Sequence, residues 1–262
     1  MQDRCFSSRA VALLIDLLVV STALTVVFYV LSTPFSARFI VPSFIKTNSC
    51  EQSNFLSNER MEQLLPLKSG EQHIQRICET RSSFLFKSNI TYITAFIRDG
   101  NKTYSRSIAY YSDELGNHTR YYPMQLPFYI ILALSIAIIT GKFATTPGKK
   151  YLGLQVTTES GGSPSVRQCL IREMVKFFPL FALAAYETVG FENPTPDELA
   201  VSASKLFQTM ESSEMHSAFS GQLAAGILIF IAFIWFQFGS FIRWRGQTYW
   251  DRLAGLYVKK SA

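Results

Sequence analysis

The feature that most constrains this chain is an apolar segment near its beginning, Ala10–Ser32, which contains one charged residue, Asp16. As an α-helix the segment would measure about 34 Å, enough to cross the roughly 30 Å hydrocarbon core of a bilayer. Asp16 would lie about 9 Å inside it, where an ionised carboxylate costs on the order of 3 kcal/mol unless it faces protein or water. The segment is too long for an ordinary signal peptide and lacks a small-residue cleavage site, so we interpret it as a retained first helix.

Three further apolar runs, Pro123–Gly141, Phe177–Tyr186 and Phe219–Ile242, indicate a polytopic membrane protein. The first and last of these reach the length needed to span a bilayer. The middle run is short, contains Pro179, and needs the charged stretch Cys169–Lys176 to reach spanning length. A re-entrant or interfacial helix is the alternative for it. We expect an all-α bundle of about four transmembrane helices.

The formal net charge of +6 is informative once it is divided by segment. Basic residues concentrate in residues 1–9, 142–176 and 243–262, whereas residues 187–218 carry Lys205 against six acidic residues. The positive-inside rule then places both termini and the loop 142–176 in the cytoplasm. Because the basic residues flank spans and show no repeat of stacking aromatics, we expect the lipid bilayer, and no nucleic acid, as a partner.

The long segment 33–122 is expected to form a small α+β domain outside the cytoplasm. Thr33-Pro34 stops the first helix, and Glu51–Leu65 has mixed helical character. Beyond Arg81 the sequence is rich in β-branched and aromatic residues, and Asp99-Gly100-Asn101 is typical of a hairpin turn. The predicted organisation is residues 1–32 (N-terminus and first helix), 33–122 (extracytoplasmic domain) and 123–262 (helices two to four, a cytoplasmic loop and a cytoplasmic tail).

The four cysteines divide between the predicted compartments. Cys50 and Cys78 lie outside, where they can oxidise, whereas Cys5 and Cys169 lie in cytoplasmic parts and should stay reduced. A Cys50–Cys78 disulfide would stabilise the domain by about 3 kcal/mol, and two buried free thiols are the alternative. We expect no metal site, because His73 is the only histidine in the sequence near Cys50 and Cys78, and the chain contains no Cys-x-x-Cys pair.

Two short strands are predicted on the cytoplasmic side. Leu154–Thr158 has strand character, and Ser165 with Gln168 forms a capping box that starts the following helix. The tail sequence Gly255–Val258 repeats the pattern of Gly153–Val156. We therefore expect the two segments to pair beneath the bundle.

Three pieces of the sequence carry a resemblance to a known family: Ser8–Asp16, Thr146–Val156 with Arg172 after it, and Gln247–Gly255. Together, in this order, they resemble the RDD family of bacterial membrane proteins. The family is named for one arginine and two aspartates, which by motif match Arg9, Asp16 and Asp251. The resemblance covers the membrane helices and cytoplasmic segments and leaves out residues 33–122. It implies a bacterial inner-membrane protein and suggests transport, with sodium–proton exchange in some relatives.

The candidate charge site comprises Arg9, Asp16, Arg172 and Asp251. Asp16 either binds a cation or proton, or is a structural carboxylate paired with Arg9, Arg172 or a tail arginine. Arg9 is either a membrane anchor or a ligand, and Asp251 either forms a surface salt bridge or belongs to the site. Arg172 with Glu173 is expected to be a solvated anchoring pair. No nucleophilic triad, metal-ligand cluster or phosphate-binding motif is present, so we expect neither an enzyme nor a cofactor.

Two functions fit this sequence. In the first, the protein is transport-related, Asp16 binds or relays a cation or proton, and Arg9 tunes its charge state. Four helices are few for a carrier, so this function predicts a homo-oligomer. In the second, the protein is an accessory or assembly factor that binds a cell-envelope protein through residues 33–122, and its buried charges are structural.

Overall fold

The computed structural model describes residues 6–33, 38–42, 46–82, 85–100, 102–189, 191, 193–199 and 247–260. They form two compact units, which we call the helical unit (residues 6–28, 125–189 and 247–260) and the sheet unit (residues 29–124, 191 and 193–199, apart from the gaps). The predicted fourth span, Phe219–Ile242, lies outside the described residues, and so does Cys5.

The described elements, in chain order, are α1 (Phe6–Ser32), β1 (Phe39–Ile40), β2 (Lys46–Gln52), α2 (Asn58–Leu64), β3 (Gln72–Ser82), β4 (Phe86–Asp99), β5 (Lys102–Ser112), β6 (Tyr122–Pro123), α3 (Gln125–Phe143), α4 (Pro147–Tyr151), β7 (Leu154–Thr158), α5 (Val166–Val189), α6 (Tyr249–Leu253) and β8 (Leu256–Lys260).

Two of these helices, α1 and α3, are long and apolar enough to cross a membrane, judged by length and composition. They match the first two predicted spans, and α1 ends at Ser32 before the predicted stop. Helix α5 continues through Pro179 for 24 residues, but its charged residues keep it out of this apolar class. The prediction of an all-α bundle with four spans is not confirmed, because the described residues supply two such helices and a substantial sheet.

The predicted strand pair in the helical unit is confirmed. β7 and β8 run antiparallel, and Val156 lies opposite Val258. Val156 and Leu256 are fully buried and pack against α3 and α5 in one apolar cluster. The capping box also forms, because the Gln168 amide donates to the Ser165 hydroxyl and the Ser165 amide donates to the Gln168 side chain. The β7–β8 pair, which we call the ribbon, thus packs against the start of α5.

The sheet unit contains an antiparallel meander in the order β2-β3-β4-β5, with more hairpins than the predicted minimum of one. Helix α2 packs on one face of this sheet and buries Met61 and Leu64 against Ile93 of β4. The helix is shorter than predicted, because β2 continues to Gln52 and the Ser57 hydroxyl caps the helix by accepting from the Arg60 amide.

A disulfide fastens the first strand of the meander. Cys50 on β2 lies opposite Cys78 on β3, and the two are joined as predicted, so the free-thiol alternative is wrong. All seven residues of β2 are exposed, and apolar burial therefore contributes little to holding this strand. The strand is held by its backbone pairing with β3 and by the disulfide.

We expect the double variant Cys50→Ala/Cys78→Ala to loosen β2 selectively. A disulfide that closes a loop of this size stabilises by about 3 kcal/mol, so amide exchange in β2 should accelerate by up to about a hundredfold. Hydrogen exchange of the full chain, compared between β2 and β4, measures this. Cys169→Ala, which removes a buried free thiol of the helical unit, is the control. Unchanged exchange in β2 of the double variant would contradict the account.

Candidate functional site

Helix α1 carries two charged residues of the candidate site, and each binds a different part of the chain. Arg9 and Asp16 are seven residues apart, so both side chains leave the same face of the helix. The Arg9 guanidinium donates to the Asp251 carboxylate at 3.2 Å and to the Val258 carbonyl at 2.8 Å. Arg9 thereby links α1 to α6 and β8. Asp16 instead binds the connection between α3 and β7, residues 144–153, which contains the short helix α4 and which we call the loop.

Asp16 is 1 % exposed and is met by two hydrogen-bond donors and one ammonium group from that loop. Its carboxylate accepts from the Thr146 hydroxyl at 2.5 Å and from the Gly148 amide at 2.7 Å. The Lys149 ammonium lies 3.6 Å from the same oxygen that Thr146 binds, and also donates to the Thr146 hydroxyl. The burial cost of the carboxylate is thus offset by hydrogen bonds and an opposite charge.

The expected partners of Asp16 were wrong. Arg9, Arg172 and a tail arginine were the candidates, but both Arg9 and Arg172 bind Asp251 instead. The physical reason is the close approach of the loop to α1, which brings Lys149 and the Thr146 hydroxyl to Asp16.

Close contact between the loop and α1 depends on Gly148. A Cβ atom at this position would lie 2.2 Å from the Ala12 carbonyl oxygen, closer than any real Cβ contact. Pro147 is the first residue of α4, where its missing amide hydrogen costs nothing. In the sequence Thr-Pro-Gly-Lys, therefore, Thr146 supplies a hydroxyl, glycine the close approach, and Lys149 the opposite charge.

Asp251 is the second buried carboxylate of the site and is 1 % exposed, so the surface salt-bridge alternative is wrong. It accepts from Arg172 at 2.5 Å and from Arg9 at 3.2 Å. Its own amide donates to the Thr248 hydroxyl, which starts α6 and orients the carboxylate. Burial alone would raise the pKa of Asp251, but the charges of Arg172 and Arg9 outweigh burial and hold it below its ordinary value.

Helix α5 supplies the rest of the charges from its buried face. Arg172 and Glu173 form an ion pair at 3.0 Å, and Lys176 pairs with the other oxygen of Glu173. Glu173 is fully buried and Arg172 is 5 % exposed. The expectation of a solvated anchoring pair was therefore wrong, because this face of α5 points inward rather than into solvent.

We use the term charge cluster for four basic and three acidic residues of the helical unit. Ion pairs connect five of them in one series, Arg9–Asp251–Arg172–Glu173–Lys176, and the other two, Asp16 and Lys149, in a separate pair. Each of these ion pairs joins opposite signs, which limits the cost of removing the charges from water. The pKa of Lys149 is lowered to about 8, and burial is the largest cause. The positive charges of Arg172 and Lys176 also lower this pKa, whereas the negative charges of Glu173 and Asp16 raise it. The Lys149 ammonium therefore loses its proton more readily than that of an exposed lysine.

Sequence reasoning identified Arg9, Asp16, Arg172 and Asp251, and the structure brings the last two together with Arg9. The sequence prediction did not include Thr146, Lys149 and Lys176, and it placed Glu173 in a solvated pair rather than in the site. The Thr-Pro-Gly-Lys motif was a visible signal for the first two of these, although it did not reveal their partner. Among the described residues, no group of three His, Cys, Asp or Glu residues is placed to hold a metal ion.

We expect Gly148→Ala to separate the loop from α1, because the added methyl group would clash with the Ala12 carbonyl. Overpacking of this kind costs about 1–3 kcal/mol or more, and the melting temperature should fall by several degrees. Gly162→Ala is the matched control, since a Cβ there meets only the Thr158 and Ser160 side chains. Equal thermal stability of both variants in detergent would contradict this packing.

Comparison with known proteins matches residues 82–255, more than half of the chain, to the RDD family. The matched segment contains Thr146–Val156 and Gln247–Gly255, and it begins after Ser8–Asp16. It also includes residues 82–122, which we expected to lie outside the resemblance. No curated protein and no solved structure matches the chain. The chain belongs to the RDD family, a family of membrane-associated proteins.

Proposed function

We propose that this protein spans the bacterial inner membrane several times and moves a cation or a proton by means of the charge cluster. One observation carries the proposal. Asp16 lies in an apolar helix of spanning length, and its buried carboxylate faces the buried Lys149 ammonium of the charge cluster. Ionisable groups inside membrane helices are costly, and they characteristically mark the paths of ions and protons.

The proposed topology follows from the elements that carry the cluster. Arg9 and Asp16 lie in the first half of α1, Lys149 lies just after the end of α3, and Arg172 and Lys176 lie in the first half of α5. With α5 as a further span of about 36 Å, these three parts meet on one side of the membrane. The excess of basic residues on that side supports a cytoplasmic position for both termini and the loop.

The proposed mechanism is an exchange between the proton of Lys149 and a cation at Asp16. The ammonium group occupies the position beside the carboxylate that a cation would take. When Lys149 loses its proton, the negative charge of Asp16 is left without its nearest countercharge and attracts a cation. The Asp16 and Thr146 oxygens are the type of ligand that hard cations prefer. Arg9 does not contact Asp16, and it acts by holding Asp251 in place.

Asp16→Asn should lower cation or proton flux in proteoliposomes at least tenfold. The amide keeps the shape of the side chain and still accepts from the Gly148 backbone, but it removes the charge that attracts the cation. Asp197→Asn is the matched control, since that carboxylate is 73 % exposed in the sheet unit. If Asp16→Asn keeps its melting temperature and transports as well as the control, the proposal fails.

The pH dependence should follow Lys149. Below about pH 8 the ammonium group holds Asp16, so cation-dependent flux should be low and should rise between pH 7 and pH 9. Stability should also rise with pH between about 8 and the ordinary value of 10.5, because the unfolded chain binds the extra proton in that range.

We expect Lys149→Arg to keep flux low throughout this pH range, because arginine stays charged. Lys149→Gln should also give flux that does not change with pH, but for the opposite reason, because its side chain carries no charge at any pH. Lys150→Gln, which changes the exposed neighbour on α4, is the control. The same increase of flux between pH 7 and pH 9 in Lys149→Arg and in the control would rule out a role for this proton.

An accessory or assembly role is the second candidate, and the sheet unit favours it. β2 is an edge strand of the meander and is exposed along its whole length. Exposed edges of this kind can pair with a strand of another protein. Replacement of residues 38–122 by a short flexible linker separates the candidates. Transport predicts that the shortened chain keeps its flux, whereas an assembly role predicts no specific flux from either chain and the loss of crosslinks to an envelope protein.

A further inference from the structure

Helices α3 and α5 each expose a narrow apolar stripe that ends in a basic residue. On α3 the stripe follows the helical spacing of three and four residues through Ile131, Leu134 and Ile138 to Lys142. On α5 it runs from Arg167 through Ile171, Met174 and Phe178. Each of these eight side chains is exposed.

The two basic residues lie at the same end of the helix pair. Gly141 on α3 contacts Val166 on α5 so closely that a Cβ on the glycine would lie 2.7 Å from the Val166 backbone. The C-terminal end of α3 therefore meets the N-terminal end of α5. Lys142 follows Gly141, and Arg167 follows Val166, so each basic residue is rotated by about 100° from the contact. Because the two helices run in opposite directions, these rotations bring Lys142 and Arg167 to the same side of the helix pair.

The stripes have the length of one lipid leaflet. From Ile131 to Lys142, and from Arg167 to Phe178, the rise is about 16 Å, close to half of the roughly 30 Å hydrocarbon core. Among the described residues, no carboxylate lies within ion-pair distance of Lys142 or Arg167. Two cations at the head of two apolar stripes match a molecule with an anionic head and two hydrocarbon chains.

We propose that this surface binds one anionic phospholipid, with its phosphate between Lys142 and Arg167 and its acyl chains along the two stripes. A zwitterionic lipid carries its own cation beside the phosphate and so brings no net negative charge to Lys142 and Arg167, and a soluble phosphate would leave the stripes uncovered. The site lies on residues outside the charge cluster. It rests on the membrane arrangement proposed above for α3 and α5, and it does not depend on transport.

Native mass spectrometry of the full chain, released from detergent with added phosphatidylglycerol or phosphatidylcholine, tests this site. Wild-type protein should retain one phosphatidylglycerol in preference to phosphatidylcholine. Lys142→Gln/Arg167→Gln should weaken retention about fivefold for each charge removed, and so about twenty-five-fold in total. Lys150→Gln/Lys259→Gln removes the same charge from exposed positions elsewhere in the helical unit and should retain the lipid.

Equal retention by the two double variants, or equal retention of both lipids, would overturn the proposal. Displacement of the lipid by millimolar inorganic phosphate would also overturn it, since it would show that the acyl chains contribute nothing. Asp16→Asn should retain phosphatidylglycerol like the wild type. Lipid retention without flux therefore contradicts the transport proposal alone, and flux without selective retention contradicts this one alone.

Discussion

A carboxylate enclosed by apolar surroundings needs an opposite charge, and Asp16 meets one in Lys149 only because the loop after α3 closes directly on α1. The closure requires a glycine at position 148, and it brings the Thr146 hydroxyl to the same carboxylate. Removing the Asp16 carboxylate would leave the Lys149 ammonium buried without this partner, which costs more than burying the pair. The packing of α1 is thus fixed by electrostatics as much as by apolar burial.

The same constraint explains why distant parts of the chain belong together. Arg9 near the N-terminus binds Asp251, which is 242 residues further along, and the Val258 carbonyl of β8. Arg172 then links Asp251 to Glu173 on α5. Two backbone carbonyls of the ribbon also accept side-chain hydrogen bonds. The Thr145 hydroxyl donates to the Leu154 carbonyl, and the Gln247 amide group donates to the Leu256 carbonyl. The ribbon and the charge cluster therefore stabilise each other.

Much of the fold was predictable where the signal is local. The repeated pattern around Val156 and Val258 predicted the ribbon, and Ser165 with Gln168 predicted the start of α5. The site was predictable only in part, because the sequence shows which residue types are unusual but not which of them meet. Glu173 looks like an ordinary helix charge, and its burial depends on neighbours far away in the chain. The choice of Lys149 over Arg9 as the partner of Asp16 depends on a backbone contact that no spacing rule reveals.

In the proposed mechanism, a cation and the proton of Lys149 compete for Asp16. Proton release from the purified full chain in weakly buffered detergent at pH 8, recorded with an indicator dye, tests it most directly. Addition of a sodium, potassium or lithium salt should release up to one proton per chain with at least one of these ions, whereas choline chloride should release none. Lys149→Arg and Asp16→Asn should both abolish the release. Absence of proton release from the wild type with all three ions, or equal release from Lys149→Arg, would contradict the account.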